Sequence, residues 1–247
     1  MIKLMKFKRS QLLNSLIFFF TILNAENSKS VDFAGIKFSL KTNGIPKNHY
    51  IIIHGDENTS KLLLKEKQSA EAGMYIIISS KTREVPFYDT RVDPNRIFSR
   101  TGSRQALKKF KPVWAEKDLE DALNYLDEER PQFLNFIFPD SLGVLIALHN
   151  NLRGYNLKHE IKNSRLVSIK DDQNLENFIL CTSYNDYEKI VRGPFNVILQ
   201  DEMQEKDDGS LSWAALKNGV RYINIETKLG WLSSQKKMLE FVERTLN

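Results

Sequence analysis

Short, wholly apolar runs recur along the chain, and segments with helical spacing separate most of them. The runs are HYIIIH (49–54), MYIIIS (74–79), FLNFIF (133–138), VLIALH (144–149), FILCT (178–182), NVILQ (196–200) and RYINIE (221–226). Runs of this length that do not alternate with polar residues predict strands covered on both faces. Amphipathic or helix-favouring stretches fall between them, at 58–72, 105–129 (one helix or two, ending before Pro131), 186–191, 211–219 and 233–246. Residues 81–104 are polar, rich in turn formers and without clear period. Strands and helices in alternation predict an α/β fold, built as a single domain on a mostly parallel (mixed) central sheet with helices on both faces.

The length of 247 residues suits one such domain with a full core. Its first residues read differently. MIKLMKFKRSQLLNSLIFFFTILNA carries Lys3, Lys6, Lys8 and Arg9, then an apolar run from Leu12 to Leu23, then the small residue Ala25. That is the three-part form of a secretory signal peptide, expected at 1–25 and leaving a catalytic domain over 26–247. The apolar run is shorter than the ~20 residues a spanning helix needs, so an uncleaved anchor is the lesser alternative. Of the formal net charge of +5, the four basic residues of the leader supply four, which leaves +1. That balance points to no nucleic-acid partner and to no stable membrane association after cleavage. The one cysteine, Cys181, lies in an apolar run and cannot form an intramolecular disulfide. Export without disulfides suits a bacterial periplasm.

In parallel sheets, ligands bind beyond the carboxyl ends of the strands. His54, His149 and Glu226 each fall at such an end. His54-Gly-Asp-Glu57 places one imidazole and one carboxylate on a tight turn. A catalytic zinc site commonly takes three His or carboxylate ligands and leaves a position for water. Of the four histidines, His149 is the better placed second imidazole; His49 begins a strand and His159 follows the loop RGYNLK.

HGDE (54–57), DPNR (93–96), ALHNN (147–151) and INIET (223–227) occur in an order that resembles the zinc carboxypeptidase superfamily. The DPNRIF and LHNN forms look most like its aspartoacylase and succinylglutamate desuccinylase branch. The resemblance spans roughly 48–230. It implies a zinc-carboxypeptidase-like fold, with His54, Glu57 and His149 as ligands of Zn2+. It implies that Asn95 and Arg96 grip a substrate carboxylate and that Glu226 is the general base. It also implies a further arginine beside the scissile carbonyl. Arg83 and Arg91 both lie in the right loop, with Arg91 preferred. A counterpart of the superfamily's mobile substrate-binding tyrosine is not evident, and the acidic stretch 201–210 has no assigned role.

The expected activity is zinc-dependent hydrolysis of an amide bond in a carboxylate-bearing substrate, a short peptide or a peptidoglycan stem peptide. N-acyl-amino-acid deacylation, as in aspartoacylase, is the alternative, and a degenerate binding protein of the same fold is a third reading. Asp56 reads as a turn residue or one that orients a ligand, and Asn150 and Asn151 read as turn formers. The basic KKFK (108–111) reads as a solvated helix face. Trp231 follows Glu226 closely enough to line a pocket, although core or rim is the commoner place for such a residue.

Overall fold

The apolar runs build one wide sheet in the computed structural model, which describes residues 29–140, 142–151, 154–203 and 206–246. The expected leader lies outside the described residues. The strands are β1 (Lys29–Phe33), β2 (Ile36–Asn43), β3 (His49–Ile52), β4 (Gly73–Ile78), β5 (Val85–Phe87), β6 (Thr90–Val92), β7 (Leu145–Asn151), β8 (Leu166–Ser168), β9 (Phe178–Cys181), β10 (Asn196–Leu199) and β11 (Tyr222–Lys228). The helices are α1 (Asn58–Ala70), α2 (Arg100–Phe110), α3 (Glu116–Ile137), α4 (Tyr184–Ile190), α5 (Leu211–Lys217) and α6 (Leu232–Leu246). The main sheet has nine strands in the order β1-β2-β4-β3-β7-β11-β9-β10-β8, while β5 and β6 pair separately. Its centre, β4-β3-β7-β11, is parallel; β1 on β2, β2 on β4, β9 on β11 and β8 on β10 are antiparallel joins.

Helices cover both faces, as the wholly apolar strands require. One core packs α2, α3 and α5 against the sheet and contains Ile51 and Ile53. The other packs α1, α4 and α6 and contains Ile52. These three isoleucines are 0–1% exposed, and burying each contributes roughly 1.5–3 kcal/mol. They pin the register of β3, and with it the place where the chain leaves the sheet at His54. Among the described residues, no helix is long and apolar enough to cross a membrane.

Two elements depart from the sequence reading. FLNFIF is not a strand but the last turns of α3, which runs through Pro131. Phe133, Leu134 and Ile137 are buried while Asn135 is exposed, which is helical spacing and not alternation. Pro131 sits on the solvent side, where the loss of one backbone hydrogen bond is tolerated. The β1–β2 hairpin is an addition to the sequence reading. Its signal is the alternation of Ile36, Phe38 and Leu40 with exposed residues, after a turn at Ala34-Gly35 with positive φ.

Candidate metal centre

The site begins where β3 ends. Gly55 has no space for a side chain: a Cβ there would lie 2.3 Å from the carbonyl oxygen of Thr82. Its N–H donates to that same oxygen at 3.0 Å. Glycine therefore lets the loop after β4 lie directly across the His54–Glu57 turn. Lys61 secures the crossing, donating to the carbonyls of Gly55 and Ser80 at 2.8 Å each. Glu57 then occupies the N-cap of α1 but makes no side-chain cap bond, so its carboxylate is free for other partners.

Those partners are the two histidines. Nδ1 of His54 and Nδ1 of His149 both reach Oε1 of Glu57, at 2.9 and 2.8 Å. The three side chains are 1–4% exposed, and one potential ligand atom from each lies within 4.8 Å of the others. The second oxygen of Glu57 is buried and has no hydrogen-bond partner. A buried, unsatisfied carboxylate oxygen is costly. With two imidazole nitrogens on its other oxygen, this carboxylate offers donors that a divalent cation can take, and a pair of histidines with one glutamate is a donor set of catalytic zinc sites. The sequence-predicted trio is thus brought together.

Asp93 lies behind His54 and accepts from its Nε2 at 2.9 Å. It also accepts from the backbone N–H of Asn95 at 2.8 Å. Such a carboxylate fixes the ring orientation and tautomer of a ligand histidine. Asp56, offered in sequence as a turn residue or for that part, sits in the turn and faces the Arg83 guanidinium at 3.8 Å. Burial opposes charge on His54, yet Glu57 and Asp93 together hold its pKa up to about 9. Burial opposes charge on Glu57 too, and the paired histidines outweigh it, keeping that carboxyl well below its ordinary value.

Glu226 stands beside this cluster because β11 pairs with β7 in parallel, with Glu226 level with His149. Burial pushes its carboxyl up from the ordinary value and the charge of Glu57 adds to this, while His149, Asn224 and Arg83 pull the other way. Asn224 donates to its Oε1 at 3.1 Å. Both residues line a cavity of about 580 Å³ that opens on the metal centre. Asn95 and Arg96 line it as well. Asn95 Oδ1 accepts from the N–H of Leu211, which leaves its amide N–H groups as the donors it can offer.

Arg91 is not at the site. It lies on the β5–β6 hairpin opposite Pro86, exposed, with its guanidinium 4.6 Å above the ring of Phe110. Arg83 takes the place expected of it, lining the cavity with Nη1 3.9 Å from Glu57. Trp231 lies at the surface beneath the Lys228 ammonium, in keeping with the commoner place for such a residue, and Trp213 lines the cavity. His49 is buried against the carbonyl of Ile137, and His159 stacks on Tyr155.

Asp208 and Ser210, at the end of the acidic stretch, take a place in the cavity wall. A Cβ on Gly102 would lie 2.2 Å from Gly209, and one on Gly209 would lie 2.4 Å from the carbonyl of Arg96. Two glycines thus let this stretch close on the Asn95–Arg96 turn, where Asp208 faces Arg96 at 3.8 Å. Tyr155 and Glu160, which carry no signal in the sequence reading, also line the cavity.

A buried polar network holds the pieces in register. Asn150 Oδ1 accepts from the N–H and hydroxyl of Ser60 on α1. Its amide nitrogen donates to the carbonyl of His149 and to Thr227 on β11. Gln235 of α6, wholly buried, donates to Ser60 and to the carbonyl of His149. The helix bearing Glu57, the strand bearing His149 and the strand bearing Glu226 are therefore tied to one another by side-chain hydrogen bonds. Asn150 is thus a strut between elements and not a turn former.

No family model and no curated protein matches the chain. Solved structures that the chain matches include the product-bound ectoine utilization protein EutE (DoeB) from Ruegeria pomeroyi, 13% identical over 84% of this chain and 59% of that one, with a TM-score of 0.44. A succinylglutamate desuccinylase from Silicibacter sp. TM1040 is 14% identical over 87% and 63%, with a TM-score of 0.45. A succinylglutamate desuccinylase/aspartoacylase from Rhodobacter sphaeroides is 12% identical over 89% and 63%, with a TM-score of 0.42. The chain spans about three-fifths of the length of each.

Proposed function

We propose that this chain is a zinc-dependent hydrolase of amide bonds, acting on a substrate that bears a carboxylate. The observation that carries the reading is the meeting of His54, His149 and Glu57 on one buried point, with the raised-pKa carboxyl of Glu226 on the next strand. The four motifs that resemble the zinc carboxypeptidases fall on that same cavity.

His54, Glu57 and His149 would hold the ion, with Asp93 orienting His54. A zinc ion there would supply Lewis acidity, lowering the pKa of water towards ~7 and polarising a carbonyl. Glu226 takes a proton from the attacking water and returns it to the leaving nitrogen. A carboxyl whose pKa is raised by burial is better suited to both transfers than an ordinary one. Asn224 keeps one Glu226 oxygen engaged, which orients the carboxylate. Arg96 and the amide of Asn95 receive the substrate carboxylate, the guanidinium as a planar donor fork. Arg83, beside Glu57, steadies negative charge that develops on the carbonyl oxygen.

Elemental analysis of protein purified without chelator should give about one zinc per chain. A panel of dipeptides and N-acyl amino acids then separates peptidase from deacylase. Protein that holds no transition metal and turns over nothing on the panel refutes the reading. The leader at 1–25 further supports export to a periplasm, where peptidoglycan stem peptides are candidate substrates. Mass spectrometry of the mature protein should find an N-terminus near Glu26.

A further inference from the structure

The cavity does not stop at the catalytic carboxylate. It continues across the sheet beyond Glu226, onto β9 and the end of β10. From β3 through β7, β11 and β9 to β10 is four interstrand steps, on the order of 19 Å at ~4.8 Å each. Hydrolysis of an amide needs only the first part of that length.

The chemistry of the far part is specific. Its floor is apolar where Leu180 of β9 pairs with Asn224 of β11, and Trp213 adds an aromatic wall. Its polar groups include the carboxylate of Glu160. Glu160 is held by two neutral donors: the Tyr155 hydroxyl on one oxygen, and Gln200 Nε2 on the other at 2.7 Å. Gln200 is 2% exposed, so this carboxylate is fixed by buried structure. Among the described residues, no cation stands within salt-bridge distance of Glu160. The nearby Arg96 faces Asp208 at 3.8 Å and donates to the carbonyl of Asn95 at 2.8 Å. An oriented carboxylate with no described cation within salt-bridge distance and an apolar floor beside it form a complementary surface for one kind of group.

We infer that the part of the cavity beyond Glu226 is a subsite for an aliphatic substrate arm ending in a primary ammonium, with Glu160 as its anionic partner and Leu180 and Trp213 against its methylenes. This rests on reading the cavity as the substrate site of a hydrolase, so the test is a binding measurement that needs no turnover. Zinc-loaded full chain is titrated by calorimetry with 4-aminobutyrate, 6-aminohexanoate and 8-aminooctanoate, and with butyrate, hexanoate and octanoate. The carboxylate is common to both series and only the ammonium differs. At the chain length that spans the cavity, the ω-amino acid should bind at least about 10-fold tighter than its alkanoate, since charge-assisted hydrogen bonds are the strong ones. Glu160→Gln should bring the two within about 2-fold. Tyr155→Phe, which removes one of the donors fixing Glu160, should shrink the preference at least about 3-fold, and it carries the test if Glu160→Gln fails to fold. Equal binding of the two series at every length overturns the inference. So does a preference that survives Glu160→Gln or is untouched by Tyr155→Phe. An ω-amino preference in a protein that hydrolyses no amide upholds the subsite and refutes the hydrolase; turnover without the preference does the reverse.

Discussion

Asp93 offers the sharpest test of the metal centre, because it touches the site through one hydrogen bond and the fold through another. Its Oδ1 accepts from His54 Nε2 at 2.9 Å and from the N–H of Asn95 at 2.8 Å. Asp93→Ala removes both. Losing the partner of a ligand histidine costs about 10–100-fold in metal affinity, or about 1.4–2.7 kcal/mol. Losing the bond to Asn95 resembles loss of a helix cap and costs about 1 kcal/mol of folding stability. Asp93→Asn separates the two, because its amide oxygen still accepts both N–H groups and only the charge is gone. Zinc affinity is read by competition with a chromogenic chelator, and stability by urea denaturation of the metal-free protein. Asp93→Ala should lose zinc affinity by about 10–100-fold and about 1 kcal/mol of stability. Asp93→Asn should lose zinc affinity near the lower end of that range with stability almost unchanged. If Asp93→Ala binds zinc within about 2-fold of the parent, His54 is not a ligand oriented by this carboxylate and the centre is misassigned.

Glu226→Gln should lower kcat at least ~100-fold with the zinc content and KM little altered, and loss of zinc would make Glu226 a ligand instead. Arg83→Ala should lower kcat/KM at least ~10-fold while Arg91→Ala leaves it within about 2-fold; the reverse pattern would return Arg91 to the site. Gly55→Ala forces a methyl against the Thr82 carbonyl and should destabilise the protein by about 1–3 kcal/mol in denaturant titration, with an unchanged midpoint contradicting the close approach. Gln235→Leu removes the donor to the Ser60 hydroxyl and one of the two side-chain donors to the His149 carbonyl, and should cost about 1–3 kcal/mol; a neutral result would mean the network does not hold the site together.

The metal trio is legible in the chain because short-range chemistry and strand ends coincide there. Apolar runs mark the strands, ligands gather at their carboxyl ends, and only a few histidines compete for the part. The motifs around Glu226, Asn95 and Arg96 place those residues at the same cavity. What the chain could not reveal was set by contacts across sequence distance. In sequence Asp93 is merely a neighbour of Arg96, because nothing local says that the turn after β6 comes to rest against His54. Arg83 and Arg91 share one polar loop with similar surroundings in sequence. The zero-clearance crossing at Gly55 carries one onto Glu57, and the register of a short hairpin turns the other out onto Phe110. FLNFIF has the composition of a strand, and only packing beneath the sheet selects its helical face. Asn150, Ser60 and Gln235 are ordinary polar residues until three elements bring them together in a dry interior. There each hydrogen bond must be made, because no water replaces it. Residue type and local period therefore determined the layers of this fold and the ligands it could offer. Which side chain stands behind which ligand was decided by close packing, since the distances that matter are a few ångströms across segments up to 175 residues apart in the chain.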